Sequence, residues 1–185
     1  MTIWTSFDTP FGPSGVAWNG DVIVRVVLPV EDQDELAARM RRAAPGAARG
    51  TPPAWVTRAI ARMAAHLGGV LDDLQDLPVV QAASAFERSI YSLTRAIPPG
   101  QTRTYGELAA ATGDATQARA VGQAMARNPV PLIVPCHRVL AAGGALGGFS
   151  APGGTETKHR LLQLEGAAIA AQLGMFDVVP GSPGA

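Results

Sequence analysis

Thr104-Tyr105-Gly106-Glu107-Leu108-Ala109-Ala110-Ala111-Thr112-Gly113-Asp114-Ala115-Thr116-Gln117-Ala118-Arg119-Ala120-Val121-Gly122 is the stretch from which the fold can be read. Thr104 stands three residues before Glu107, and Asp114 three before Gln117. At that spacing a short polar side chain caps the first turn of a helix. The pattern predicts helices from Tyr105 to Thr112 and from Ala115 to Arg127, the first ended by Gly113 and the second by Asn128-Pro129. Two helices joined by a tight glycine turn make a helix-turn-helix pattern, in which the second helix reads nucleic acid, although ordinary helical hairpins share the pattern and Arg119 then reads as a solvated side chain on an Ala-rich helix. On that helix Ala118, Val121, Gly122 and Met125 share a buried face, while Arg119 and Gln123 share another. Ala115, Ala120 and Ala126 keep the surface low, so a sugar-phosphate backbone can come close and Arg119 can project into it.

Directly downstream lies Asn128-Pro129-Val130-Pro131-Leu132-Ile133-Val134-Pro135-Cys136-His137-Arg138-Val139, with the only cysteine of the chain. A lone cysteine is usually a small buried hydrophobe. This one sits between a stiffening proline and a histidine that can serve as a base. Upstream, Ser84 and Glu87 cap a predicted helix over 85–96, whose Phe86, Ile90, Leu93 and Ile97 make an apolar stripe before Pro98-Pro99-Gly100 stops it.

The first half reads as a small α+β unit. Strands are predicted over 3–7 and 15–28, with Asn19-Gly20 as a two-residue hairpin turn. Asp32 and Glu35 frame a capping box for a helix over 33–44. A second helix runs from Ala54 to Leu67, with Val56, Ile60, Met63 and Leu67 on one face and Gly68-Gly69 at its end. A short strand is expected near Val79-Val80. No chemistry is visible in this half.

The 185 residues are 47% hydrophobic and 16% charged, which makes the chain globular rather than disordered. No apolar run approaches the roughly 20 residues of a membrane span, and no secretory leader pattern opens the chain. A cytoplasmic protein with no membrane partner is therefore expected. One cysteine excludes an internal disulfide framework and a Cys-rich zinc site, and His66, His137 and His159 are scattered, so no metal is expected. The net charge is zero, but 1–84 carries 7 Lys+Arg against 9 Asp+Glu, and 85–175 carries 8 against 5. A polyanion should favour the second half.

Tyr105-Gly106-Glu107-Leu108-Ala109, Ala118-Arg119-Ala120-Val121-Gly122, Asn128-Pro129 and Ile133-Val134-Pro135-Cys136-His137-Arg138-Val139 occur in that order in O6-alkylguanine-DNA alkyltransferases, which this chain resembles. The strong match runs from about Phe86 to Gly166, and Asp8-Thr9-Pro10-Phe11-Gly12-Pro13 is similar to the start of the family. The resemblance implies an α+β fold: a small ribonuclease-H-like α/β domain at 1–80, then a mainly helical domain at 81–175 with a winged helix-turn-helix and the active site. Residues 176–185, rich in Pro and Gly, are expected to be a flexible tail.

The implied reaction moves an alkyl group from a flipped O6-alkylguanine, and also from O4-alkylthymine, in double-stranded DNA onto the protein's own cysteine. No cofactor takes part, and the protein, expected to be a monomer, is spent after one turnover. Displacement at an sp3 carbon needs a soft, strong nucleophile, which is the thiolate of Cys136. A free thiol of pKa about 8.5 is only slightly ionised at neutral pH, so a base is needed, and His137 is the candidate. Adjacent side chains on an extended backbone point apart, and in the family a water bridges the two. Glu165 matches the carboxylate that holds the other ring nitrogen of the histidine, although alone it reads as a solvated helix residue. Tyr105 matches the tyrosine that binds the base and helps donate a proton. Arg119 matches the finger that fills the gap left by the flipped base, an unstacking that costs a few kcal/mol. Gln117, Ala118, Ala120 and Gly122 complete the DNA-binding surface. Val139, Phe149 and Ser150 line the substrate pocket with Tyr105, through backbone groups of Cys136, Val139 and Ser150. Asn128 braces the turn before the cysteine, and Pro135 and Arg138 are structural members of the motif.

Phe149 stands where many relatives have Tyr, and the 150–154 loop is longer than in some, which bears on the alkyl groups admitted. Two other classes fit parts of the pattern. A Cys-His hydrolase would use Cys136, His137 and Glu165 as a triad, but it shows no oxyanion-hole motif and leaves the helix-turn-helix unexplained. A DNA-binding regulator or damage sensor would bind without transfer, but binding-only members of the family lack the cysteine.

Overall fold

The structure, a computed structural model, describes residues 1–80 and 84–167; the tail expected at 176–185 lies outside them. The chain opens with three antiparallel strands, β1 (Ile3–Thr9), β2 (Gly12–Asn19) and β3 (Val22–Val27). A two-residue strand, β4 (Ala48–Arg49), runs parallel to β1 and gives the order β3-β2-β1-β4. The second hairpin turns at Gly20-Asp21, one residue later than expected: Asn19 pairs with Val22, and Gly20 takes the positive φ of +57°. The first hairpin depends on Gly12. Its φ is +112°, and a Cβ there would lie 2.2 Å from the Val30 carbonyl oxygen.

Period-two alternation gives the sheet two apolar faces. Trp4, Ala17 and Val27 pack with Leu36 and Met40 of α1 (Gln33–Ala43). Phe7, Val16, Trp18 and Ile23 pack the other way, against Val56, Ala59, Met63 and Leu67 of α2 (Ala54–Leu67). Asp32 caps α1 by accepting the Glu35 N–H at 2.8 Å, but Glu35 reaches back to Glu31, so only half of the expected box closes. The strand expected near Val79-Val80 is a single bridge to Ile23.

The second half supplies α3 (Ala85–Arg95), β5 (Arg103–Thr104), α4 (Tyr105–Ala111), α5 (Ala118–Ala126), β6 (Val139–Leu140) and α6 (Gly154–Leu164). Both halves of the Thr104–Glu107 capping box are present, so α4 starts at Tyr105. The helix expected from Ala115 is split into a 3-10 turn over Ala115–Gln117 and then α5. Asp114 explains the break. Its carboxylate accepts the N–H and hydroxyl of Thr116 and the amide of Gln117, an Asx-type turn that competes with helical bonding. β5 and β6 pair in parallel and bring the start of α4 beside the segment after Cys136.

The two halves share one core. Ile90 of α3, Leu108 of α4, Val121 and Met125 of α5 and Leu161 of α6 join the Phe7–Trp18–Met63 side of the sheet in a single buried cluster that includes Cys136. The Val26 N–H of edge strand β3 donates to the Pro129 carbonyl at 3.0 Å, tying the sheet to the approach of the cysteine. Arg160 of α6 stacks over Phe11 at 3.9 Å. Among the described residues, no helix is long and apolar enough to cross a membrane.

Candidate active site

Asn128 sets the path into the site. Its Oδ1 accepts the Val130 N–H at 3.0 Å and its Nδ2 donates to the Val134 carbonyl at 2.8 Å, closing the turn between α5 and the cysteine. Within that turn Leu132 is buried at a left-handed φ of +76°, a conformation costly for a residue with a Cβ. Cys136–Arg138 then form a 3-10 turn, not the extended backbone that was expected, with the Arg138 N–H donating to the Pro135 carbonyl at 2.9 Å.

The turn points three side chains into the interior. Cys136 is 6% exposed, and burial pushes its thiol pKa up, against the opposing effects of the Asn128 side chain and the positive charge of Lys158. His137 is fully buried. Its Nε2 lies 3.0 Å from Glu165 Oε1, and its Nδ1 has no protein partner among the described residues. Arg138 is buried too, donating from Nε and Nη2 to the two Glu165 oxygens at 2.9 and 2.7 Å, and from Nη1 to the Ile97 carbonyl at 2.6 Å.

Glu165 is therefore not the solvated residue its position alone suggested. Burial by itself would raise its carboxyl pKa, but bonds from His137, His66 and Arg138 outweigh burial and hold it far below the usual range. Burial keeps His137 less basic than a free imidazole despite the carboxylate beside it, so the ring is neutral at pH 7. Nε2 carries the proton that faces Glu165, which leaves the Nδ1 lone pair free to accept one.

A cleft of about 440 Å³ opens onto Cys136, lined by Tyr105, Gly122, Met125, Ala126, Gly148, Phe149 and Ser150. Tyr105 is the first residue of α4, and burial raises its hydroxyl pKa. Lys158 lies behind the rings. Its Nζ donates to the Val139 carbonyl at 2.5 Å and sits 5.7 Å from the Tyr105 centroid and 6.0 Å from that of Phe149. Burial brings its pKa down to about 8. The Ser150 hydroxyl donates to the Ala126 carbonyl at 3.0 Å, fastening the loop to the end of α5. Val139 is buried outside the lining, with its carbonyl engaged by Lys158. Arg119 is exposed on α5; Gln117 is bonded to Asp114; Ala118 and Ala120 are half-buried, and none of these four lines the cleft.

Two residues escaped the sequence reading. His66, assigned to a half without chemistry, reaches Glu165 Oε1 at 3.0 Å. It stands three residues after Met63 and seven after Ala59, on the buried face of α2, so the spacing held the signal. Lys158 shares a face with Leu161, Leu162 and Glu165, and that stripe marks both charged residues as buried. Two imidazoles and a carboxylate thus converge, but their polar atoms face each other. Among the described residues, no group of three or more side chains is placed to hold a metal.

The family model described as "6-O-methylguanine DNA methyltransferase, DNA binding domain" matches residues 85–167. The Mycobacterium tuberculosis protein named methylated-DNA–protein-cysteine methyltransferase is 34% identical over 177 residues, covering 96% of this chain and all of the relative. A protein of the same name from Methanosarcina acetivorans is 38% identical over 122 residues, 63% of this chain and 76% of the relative. The crystal structure of M. tuberculosis OGT in complex with DNA superposes with a TM-score of 0.72 at 30% identity, covering 88% of this chain and 92% of that one. With such identity sustained along nearly the whole length of both chains, this protein belongs to the methylated-DNA–protein-cysteine methyltransferase family.

Proposed function

We propose that this chain repairs double-stranded DNA by direct reversal, moving the alkyl group of O6-alkylguanine, and of O4-alkylthymine, irreversibly onto Cys136. The observation that carries this reading is a buried thiol followed by a histidine whose free Nδ1 and carboxylate-bound Nε2 suit it to take a proton. The thiol proton passes to Nδ1, relayed by a water. The Sγ–C bond forms as the O6–C bond breaks, and the departing guanine takes a proton with the help of Tyr105. Lys158 places a positive charge where the sulfur becomes negative. The thioether product cannot react again, so each molecule turns over once.

In this reading α4 and α5 are the helix-turn-helix of a winged, mainly helical domain at 81–175, and 1–80 is a ribonuclease-H-like domain. The protein works as a cytoplasmic monomer without a cofactor. The Ala118, Ala120 and Gly122 surface, with Gln117, meets the backbone. Arg119, exposed on α5, fills the stack after the base is flipped. The base then enters the cleft between Tyr105 and Phe149, beside Ser150. Mass spectrometry after incubation with a duplex containing O6-methylguanine tests the reading. One methyl on the Cys136 peptide per restored guanine is expected, and an unmodified peptide with the lesion still in place sinks it. Arg119→Ala should slow repair in duplex more than reaction with the free alkylated base; equal losses would remove the finger role.

A further inference from the structure

Glu165 Oε1 receives three donors, and one of them comes from the first half of the chain. His66, fully buried on α2, lies 3.0 Å from Oε1 through Nε2. Its other nitrogen, Nδ1, accepts the Asp72 N–H at 3.1 Å. A backbone N–H can donate only to a bare ring nitrogen, so the proton of His66 sits on Nε2 and points at Glu165. Asp72 is itself clamped by Arg62, Nε at 2.7 Å and Nη2 at 2.8 Å, and that clamp holds the tautomer. A chain of bonds therefore runs from Arg62 at the surface through Asp72, His66 and Glu165 to His137.

We propose that His66 is a positioning residue for alkyl transfer: by donating to Glu165 Oε1 it aligns the carboxylate with His137 and limits how strongly that carboxylate holds a proton on the ring. The proposal rests on the reading of Cys136 as the acceptor. A carboxylate oxygen shared by three donors is a weaker base than one shared by two. Without His66, Oε1 faces only His137 and Arg138, the imidazolium form of His137 gains, and fewer molecules have an Nδ1 ready for the thiol proton. The groups facing His66 are Glu165 from the end of α6, His137 and Arg138 from the cysteine turn, and Asp72 from the loop after α2, with Arg62 of α2 behind it.

The test measures single-turnover methyl transfer from duplex DNA against pH for the parent chain, His66→Phe and His66→Gln, with thermal unfolding alongside. Phe fills the space and lacks the donor, whereas the Gln amide places an N–H near the position of Nε2. His66→Phe should be roughly tenfold slower at neutral pH, the order expected for losing one hydrogen bond to a charged group. Its acid-side inflection should move to higher pH, and His66→Gln should recover most of both. A folded His66→Phe chain with parental rate and inflection overturns the proposal. So does a His66→Gln chain as slow as His66→Phe with the inflection unmoved, since that is a packing effect. If His66→Phe does not fold, ring-nitrogen shifts of the parent decide: protonation of His137 must move the His66 signals, and unmoved signals overturn the link. A parent chain that transfers nothing removes the Cys136 reading itself, whereas a defect confined to the variants concerns His66 alone.

Discussion

Glu165 holds a negative charge where water does not reach, and its environment supplies four bonds from three donor side chains in place of hydration. This has a pH signature. The folded carboxyl pKa lies below its unfolded value, so its stabilisation is complete above about pH 4.5 and is lost as pH falls further. His137 adds to the same side, because a ring held neutral by burial takes up a proton on unfolding once pH drops below about 6.5. Acid unfolding should therefore begin near pH 6.5 and steepen below 4.5. Glu165→Gln leaves the Arg138 guanidinium buried without its charge partner, which should cost about 3 kcal/mol at pH 7 and flatten the lower limb in denaturant titrations. Neither Glu165 nor Lys158 reads as buried from residue type, since lone charges inside a protein are rare. Their common stripe with Leu161 and Leu162 was the legible sign, and it outranks residue type once the whole helix is considered.

At the scale of elements, capping made the sequence readable. Thr104, Ser84 and Asp32 each accept the N–H three residues on, and the helices they open begin where the spacing predicts. Asp114 misled because the same carboxylate that caps a helix can also tighten a turn, and only the local competition decides between them. β4, β5 and β6 are two residues each, too short for any periodicity to register. On α5, Gly122 lines the cleft, and a Cβ there would sit 4.0 Å from the Tyr105 ring, an ordinary contact. Gly122→Ala should consequently stabilise the protein by about 0.5–1 kcal/mol through helix propensity. It should also slow transfer of bulky alkyl groups more than methyl. Unfolding curves and competition between O6-methyl and larger O6-alkyl substrates check the two halves of that statement.

For the whole molecule, the alternation of the strands and the stripes of the helices were visible in the sequence, but their fusion into one core was not. Contacts between Phe7, Met63, Ile90 and Leu161 are long-range, and no local pattern encodes which faces meet. A shared core predicts a single cooperative transition, with fluorescence from the N-terminal tryptophans and circular dichroism from the helices coinciding; two separated midpoints would show independent halves. The zero net charge predicts a shallow salt dependence of DNA affinity, because few phosphates are neutralised. One feature of the resting state governs how long such a molecule remains useful. In the proposed reaction the Cys136 sulfur is consumed by the electrophile it attacks, yet burial pushes the thiol pKa up, and a thiol is a poor nucleophile beside a thiolate. Stray alkylating chemicals in solution would meet the inert form, so on the proposed single-turnover reading the shelf life of the protein is set by the same burial that holds its thiol back until a base is bound.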